Sequence, residues 1–212
     1  VYKRQLKAAT GEYFMWAAHD DTRAPTFISK LFGALRAEPR AVLAFARYDN
    51  LDESGSVVGR DRMDWRRFLS GSYFRRVARF CLADEARTQK GNMIYGLIRR
   101  EVLVESGGFA MATTEFSGED IVTLLRLSSR GSFAFVDEVL FHYRHRPVVG
   151  RGGQGLRTYL LARIAGRSPG HRGNLLVALR RNHVLHADLR RTINQDLRLS
   201  PLQKGFLWTA LW

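Results

Sequence analysis

The chain has 212 residues and a mass of 24.2 kDa, which suits one domain or one domain with an appendage. Its 34 Lys+Arg against 20 Asp+Glu leave a net charge of +14 and a pI near 10.8, a surface that attracts phosphate-rich partners such as nucleic acid, anionic lipid or nucleotide. A single cysteine, Cys81, excludes an internal disulfide framework and a cysteine-based zinc site, and no uninterrupted apolar stretch reaches membrane-spanning length.

In chain order, Val1 to Gln5 reads as residue from sequence assembly and is set aside from fold reasoning. Leu6 to Ala9 reads as the last turn of a helix. Thr10 to Asp21 then opens on a turn-prone Thr-Gly and continues through aromatic and small apolar residues, enough for one strand across a buried sheet. It stops at two carboxylates, Asp20 and Asp21. Pro25 sits where a helix can begin, and Phe27, Ile28, Leu31, Phe32 and Leu35 follow helical spacing up to Pro39. Ala41 to Tyr48 reads as a buried strand, with Val57-Val58 pairing back on it as a short hairpin. Trp65 to Leu82 carries a helical pattern broken near Ser70-Gly71. Asn92 to Ile98 reads as a second buried strand, passing through Gly96.

Arg99 to Ser106 reads as a short helix closed by Gly107-Gly108. A loop leads from Phe109 to Gly118, and a helix with Ile121, Leu124, Leu125 and Leu127 facing inward runs to Gly131. Phe133 to Val136 and Val139 to Tyr143 form two short strands or one bent one. Arg146 to Gly155, rich in Gly, Pro and Arg, reads as a linker. Beyond it lie amphipathic helical stretches at Leu156 to Ile164, Leu175 to Leu197 and Pro201 to Trp212. Residues 150–212 hold 11 Lys+Arg and 2 Asp+Glu, so +9 of the +14 lies there.

The two acidic pairs carry the chemistry. Strand-end carboxylates reach the edge of an open α/β sheet where ligands bind. Adjacent carboxylates there call for a cation, commonly Mg²⁺ held by one or two carboxylates and substrate phosphates; capping of the next helix is the bland alternative. Glu119-Asp120 begins a helix and has the same bland alternative, with Ser117 as the cap. Taken together in an α/β layout, the pairs place a metal-binding acid and a candidate general base around one cleft.

The stretch Ala9 to Asp21 resembles the aspartate motif of glycosyltransferase family 2. So do Tyr95-Gly96-Leu97-Ile98-Arg99-Arg100-Glu101 followed by Glu105-Ser106-Gly107-Gly108-Phe109, then Gly118-Glu119-Asp120, and then His142-Tyr143-Arg144. These appear in the family's order and spacing. The resemblance implies a GT-A fold, here an incomplete mixed α/β sheet flanked by helices over residues 6–146, with a 147–155 linker and a basic helical tail over 156–212. It implies inverting transfer of a sugar from a nucleotide-diphosphate donor to a hydroxyl of an envelope glycan or lipid-linked acceptor. Asp21 would hold a divalent cation, Mg²⁺ or Mn²⁺, on the diphosphate. Asp20 would share that role or touch the ribose. Asp120 would be the base with Glu119 beside it. Gly107, Gly108 and Phe109 would shape the acceptor pocket, Tyr143 and Arg144 would lie near the diphosphate, and His145 would be a late metal or phosphate neighbour.

Ala18 stands where many members carry a further acid. The family's N-terminal half, with its base-reading acid, is not supplied before Leu6, so the expectation is an incomplete catalytic domain that binds donor poorly and is inactive alone. The rival reading is a basic module for nucleic acid or anionic membrane without catalysis. No nucleic-acid recognition motif is present, so no specific nucleic acid is expected. The Arg-rich tail with Trp208 and Trp212 resembles interfacial helices, which suggests a cytoplasmic protein peripheral to a membrane.

Overall fold

The computed structural model describes residues 2–83, 88–110, 118–144 and 187–210. Six strands form one mixed sheet: β1 (Tyr13–Phe14), β2 (Thr22–Arg23), β3 (Ala41–Leu51), β4 (Val57–Arg60), β5 (Leu97–Arg99) and β6 (Ser132–Arg144). Their order is β1-β5-β3-β6-β2, with β4 paired to β3. Helices flank the sheet: α1 (Tyr2–Ala8), α2 (Phe27–Ala37), α3 (Trp65–Leu69), α4 (Tyr73–Leu82), α5 (Arg100–Glu105), α6 (Glu119–Ser128), α7 (residues 187–195) and α8 (Pro201–Ala210). This is the α/β class expected from the sequence.

The centre is the parallel ladder of β3 and β6, which runs from Ala41 opposite Ser132 to Leu51 opposite Arg144. β3 is buried along nearly its whole length, as a parallel strand covered on both faces must be. Register shifts near Ala46 and Arg47 bend the pairing, so the two apolar runs of residues 133–143 form one bent strand. Around the ladder, the ring of Phe45 packs against Trp65 at 5.2 Å and Phe135 at 5.2 Å. Leu31 and Leu35 of α2, and Leu124, Leu125 and Leu127 of α6, are fully buried. Truncating such a leucine to alanine costs about 2–5 kcal/mol.

Several expectations are corrected. Of the run from Thr10 to Asp21 only Tyr13–Phe14 is strand, because its partner β5 is itself three residues long. Asn92 to Ile98 is not one strand: Lys90–Tyr95 is a 3-10 helix and β5 begins at Leu97. Of the residues at helical spacing in α2, Phe27, Leu31 and Leu35 form the core stripe, while Ile28 and Phe32 are exposed. Leu6 to Ala8 is the last turn of the helix Tyr2–Ala8, as expected, with Leu6 buried. Ser117, the 147–155 linker and the stretch Leu156 to Ile164 lie outside the described residues, as does most of Leu175 to Leu197.

Gly96 shows why the 3-10 helix can turn into β5. A Cβ there would meet the main-chain oxygen of Ala44 at 2.2 Å, so β3 passes where any side chain would stand. Gly33, in the middle of α2, has nothing within 4 Å of its Cβ position. Gly96→Ala is expected to lower stability by about 1–3 kcal/mol or more, and Gly33→Ala to raise it by about 0.5–1 kcal/mol through helix propensity. Urea denaturation followed by circular dichroism reads both.

Candidate active site

The acidic loop sits between β1 and β2. After Phe14 the chain runs on without ladder partners, bends at His19 and Asp20, and re-enters the sheet at Thr22 opposite His142. Aromatic packing fixes this path: Trp16 lies edge-on to Phe14 at 4.7 Å and to Phe109 at 5.0 Å. Arg23 donates to the main-chain oxygen of Trp16 at 3.0 Å, and its guanidinium lies over the Phe141 ring at 5.0 Å. The re-entry delivers Asp21 beside the end of β6.

There the main-chain amide of Arg144 donates to Asp21 Oδ1 at 3.0 Å. The Arg144 guanidinium donates to the main-chain oxygens of Asp20, Asp52 and Glu53, each at 3.1 Å. Its fork therefore ties the acidic loop to the β3–β4 turn. These bonds give the side chain a positioning role.

Asp21 Oδ2 is buried, with no hydrogen-bond partner among the described residues. Burial pushes the Asp21 carboxyl above its ordinary pKa, and the negative charge of Asp20 adds to this. The Arg144 amide and the charges of Arg23 and Arg144 oppose it. A desolvated carboxylate oxygen with no donor is a natural cation ligand. Among the described residues no group of three or more His, Cys, Asp or Glu surrounds a common point. Asp21 and Asp20 are the carboxylates of this loop that could hold a hard cation.

Across from this loop lies the start of α6, whose first turn is Glu119 and Asp120. Asp120 Oδ1 accepts from the amide of Ile121 at 2.8 Å, and Glu119 Oε2 accepts from the amide of Gly118 at 3.1 Å. Gly118, not Ser117, is the described N-cap. Tyr143 joins the two acidic pairs. Burial raises its phenol pKa above the ordinary value, and the negative charges of Asp21, Asp20 and Asp120 raise it further. One hydroxyl thus stands in the field of carboxylates that are far apart in the chain. Its ring lies 6.1 Å from that of Tyr95.

Gly107 and Gly108 end α5 in positive-φ conformations, at 89° and 72°, with the amide of Gly108 donating to Leu103 at 2.8 Å. Phe109 follows and meets Trp16, linking this turn to the acidic loop. Gly107 also lines an open groove of about 270 Å³ with Arg126, Arg130 and Asp196. That groove lies toward the opposite end of α6 from Asp120, so it is not the space between the acids. His145 lies outside the described residues.

Sequence reasoning missed Thr123. Its hydroxyl donates to the main-chain oxygen of Glu119 at 2.5 Å and accepts from the amide of Ala110 at 2.8 Å. It pins the end of the Phe109 turn to the first turn of α6. The available signal was a hydroxyl on the inward, otherwise apolar face of that helix.

No family model and no curated protein matches the chain. Among solved structures it is similar to S. aureus TarS 1–349 in complex with UDP-GlcNAc, at 12% identity and a TM-score of 0.46, over 97% of this chain and 57% of that one. The complex with UDP gives 12% and 0.45, over 97% and 56%; S. aureus TarS gives 12% and 0.44, over 93% and 32%. The chain therefore spans at most 57% of these solved chains. At these scores the chemistry rests on the residues themselves.

The raised pKa of Asp21 sets a sign for stability. Its proton is held more tightly in the folded chain than in the unfolded one. Folding therefore loses stability as pH rises from the ordinary carboxylate pKa through the raised one. Asp21→Asn removes this cost and keeps an oxygen for the Arg144 amide. The variant is expected to melt at a higher temperature than the parent at neutral pH, with the gap closing as pH falls toward 4. Thermal melts across pH check this.

Proposed function

We propose that this chain carries the diphosphate-holding and proton-abstracting part of a glycosyl-transfer site that uses a nucleotide-diphosphate sugar and inverts the anomeric centre. The observation that supports it most is the common field of Asp21, Asp20 and Asp120 at the Tyr143 hydroxyl. In this reading an acid suited to a cation and an acid suited to a base face each other across Tyr143.

In this reading Asp120 accepts the proton of the acceptor hydroxyl as its oxygen bonds to the anomeric carbon. The bond from that carbon to the diphosphate breaks, and the electron pair leaves with the nucleotide. Asp21, with Asp20, would hold the divalent cation, Mg²⁺ or Mn²⁺; when bound it would neutralise charge on the departing diphosphate. Arg144 holds the acidic loop in register, and Tyr143 presents its hydroxyl beside the diphosphate. Glu119 fixes the helix start that aims Asp120. Gly107, Gly108 and Phe109 shape the acceptor side through the contact of Phe109 with Trp16. The acceptor class, an envelope glycan or lipid-linked sugar, belongs to the same proposal.

Asp120→Asn keeps the size and the acceptor oxygen of the side chain and removes its basicity. Assayed in a chain long enough to turn over a nucleotide-sugar, it is expected to lower kcat by roughly 10²–10⁴-fold, with cation-dependent binding of the nucleotide diphosphate unchanged. Steady-state kinetics with calorimetry of the nucleotide diphosphate checks this. Unchanged turnover would remove Asp120 as the base.

A further inference from the structure

Helix α8 is built inside out. Of its residues from Pro201 to Thr209, six are exposed: Pro201, Leu202, Gly205, Phe206, Trp208 and Thr209. None is charged, and three are large and apolar. Leu202 is 86% exposed, Phe206 55% and Trp208 41%. Leu207 is fully buried and anchors the opposite side. A solvent-facing helix surface ordinarily carries charge; this one withholds it.

The surroundings are cationic. Phe206 meets Phe74 of α4 at 5.9 Å, which sets the exposed stripe beside that helix. From Trp65 to Leu82 the sequence holds five arginines and no acid, and from Arg198 to Ala210 it adds Arg198 and Lys204 and again no acid. Arg66, Arg67, Arg75 and Arg198 are all exposed. Among the described residues, Arg66 alone of these pairs with a carboxylate, 3.7 Å from Asp137.

We propose that the exposed face of α8, with Arg198 and the arginines of the neighbouring helix α4 beside it, docks the protein on an anionic lipid bilayer. Leu202, Phe206 and Trp208 enter the headgroup boundary, while the guanidinium groups meet lipid phosphates. Tryptophan is favoured at that depth. Charge decides among occupants. A second copy would bring the same cationic rim against itself and be repelled. Nucleic acid would satisfy the arginines but leaves three apolar side chains without a purpose. No described helix is long and apolar enough to cross a membrane, so the attachment is peripheral. The proposal is independent of the chemistry at Asp21 and Asp120.

The test is flotation of the 212-residue chain with vesicles of phosphatidylcholine alone and of phosphatidylcholine with phosphatidylglycerol, at low and high salt. Binding is expected only to the anionic vesicles, and to weaken with salt. Leu202→Glu/Trp208→Glu alters only exposed side chains, and circular dichroism checks that it folds. It is expected to lose at least roughly tenfold in binding, and Arg75→Glu/Arg198→Glu to lose it in the same assay. Absence of flotation at low salt, or unchanged flotation of Leu202→Glu/Trp208→Glu, would overturn the proposal. So would dimerisation abolished by Leu202→Glu, or duplex DNA binding tighter than vesicle binding.

Discussion

A main-chain amide at the end of one strand holds a carboxylate from the far side of the sequence. Arg144 N–H donates to Asp21 across 123 positions, and the candidate site depends on that bond. It forms because β6 runs in parallel with β3 for its full length and arrives at Arg144 with its backbone already placed. The short ladder of β2 on β6 brings the acidic loop to meet it. The same arginine then uses its side chain on the carbonyls of Asp20, Asp52 and Glu53. These hydrogen bonds couple the loop and the β3–β4 turn through one residue.

The site stores an electrostatic cost. Asp21 is desolvated, its second oxygen lacks a donor among the described residues, and Asp20 lies near enough to repel it. A chain selected for stability alone would place an amide or an apolar group there. Binding a cation would convert the cost into affinity, since the ligand oxygen is already stripped of water. At the start of α6, Thr123 ties the helix to the turn after Phe109, and Phe109 returns to Trp16 next to the acidic loop. The two acidic pairs are thus linked by side chains as well as by the sheet.

Much of this was readable from the residues. The break at Ser70-Gly71, the close of α5 at Gly107-Gly108 and the inward face of α6 follow from helical spacing and glycine placement, which are local properties. The misreadings share a cause: they turned on tertiary partners. Asn92 to Ile98 is apolar enough for a strand, but only Leu97–Arg99 finds a ladder. Ile28 and Phe32 keep the helical period yet stay exposed, with Phe32 edge-on to Tyr13 of β1. Arg144 was legible as a cation near the acids. That its fork would be taken by backbone carbonyls was not, because those carbonyls come from a turn remote in sequence.

The convergence of Asp21 and Asp120 can be read at Tyr143 without any substrate. Carbon-13 NMR of the tyrosine Cζ, with the Tyr143 signal identified by its loss in Tyr143→Phe, gives the phenol pKa directly. The account predicts a value above the ordinary one for tyrosine, and a fall both in Asp21→Asn and, separately, in Asp120→Asn. A Tyr143 titration that responds to Asp21→Asn but is indifferent to Asp120→Asn would place the two acids in different sites and contradict the account.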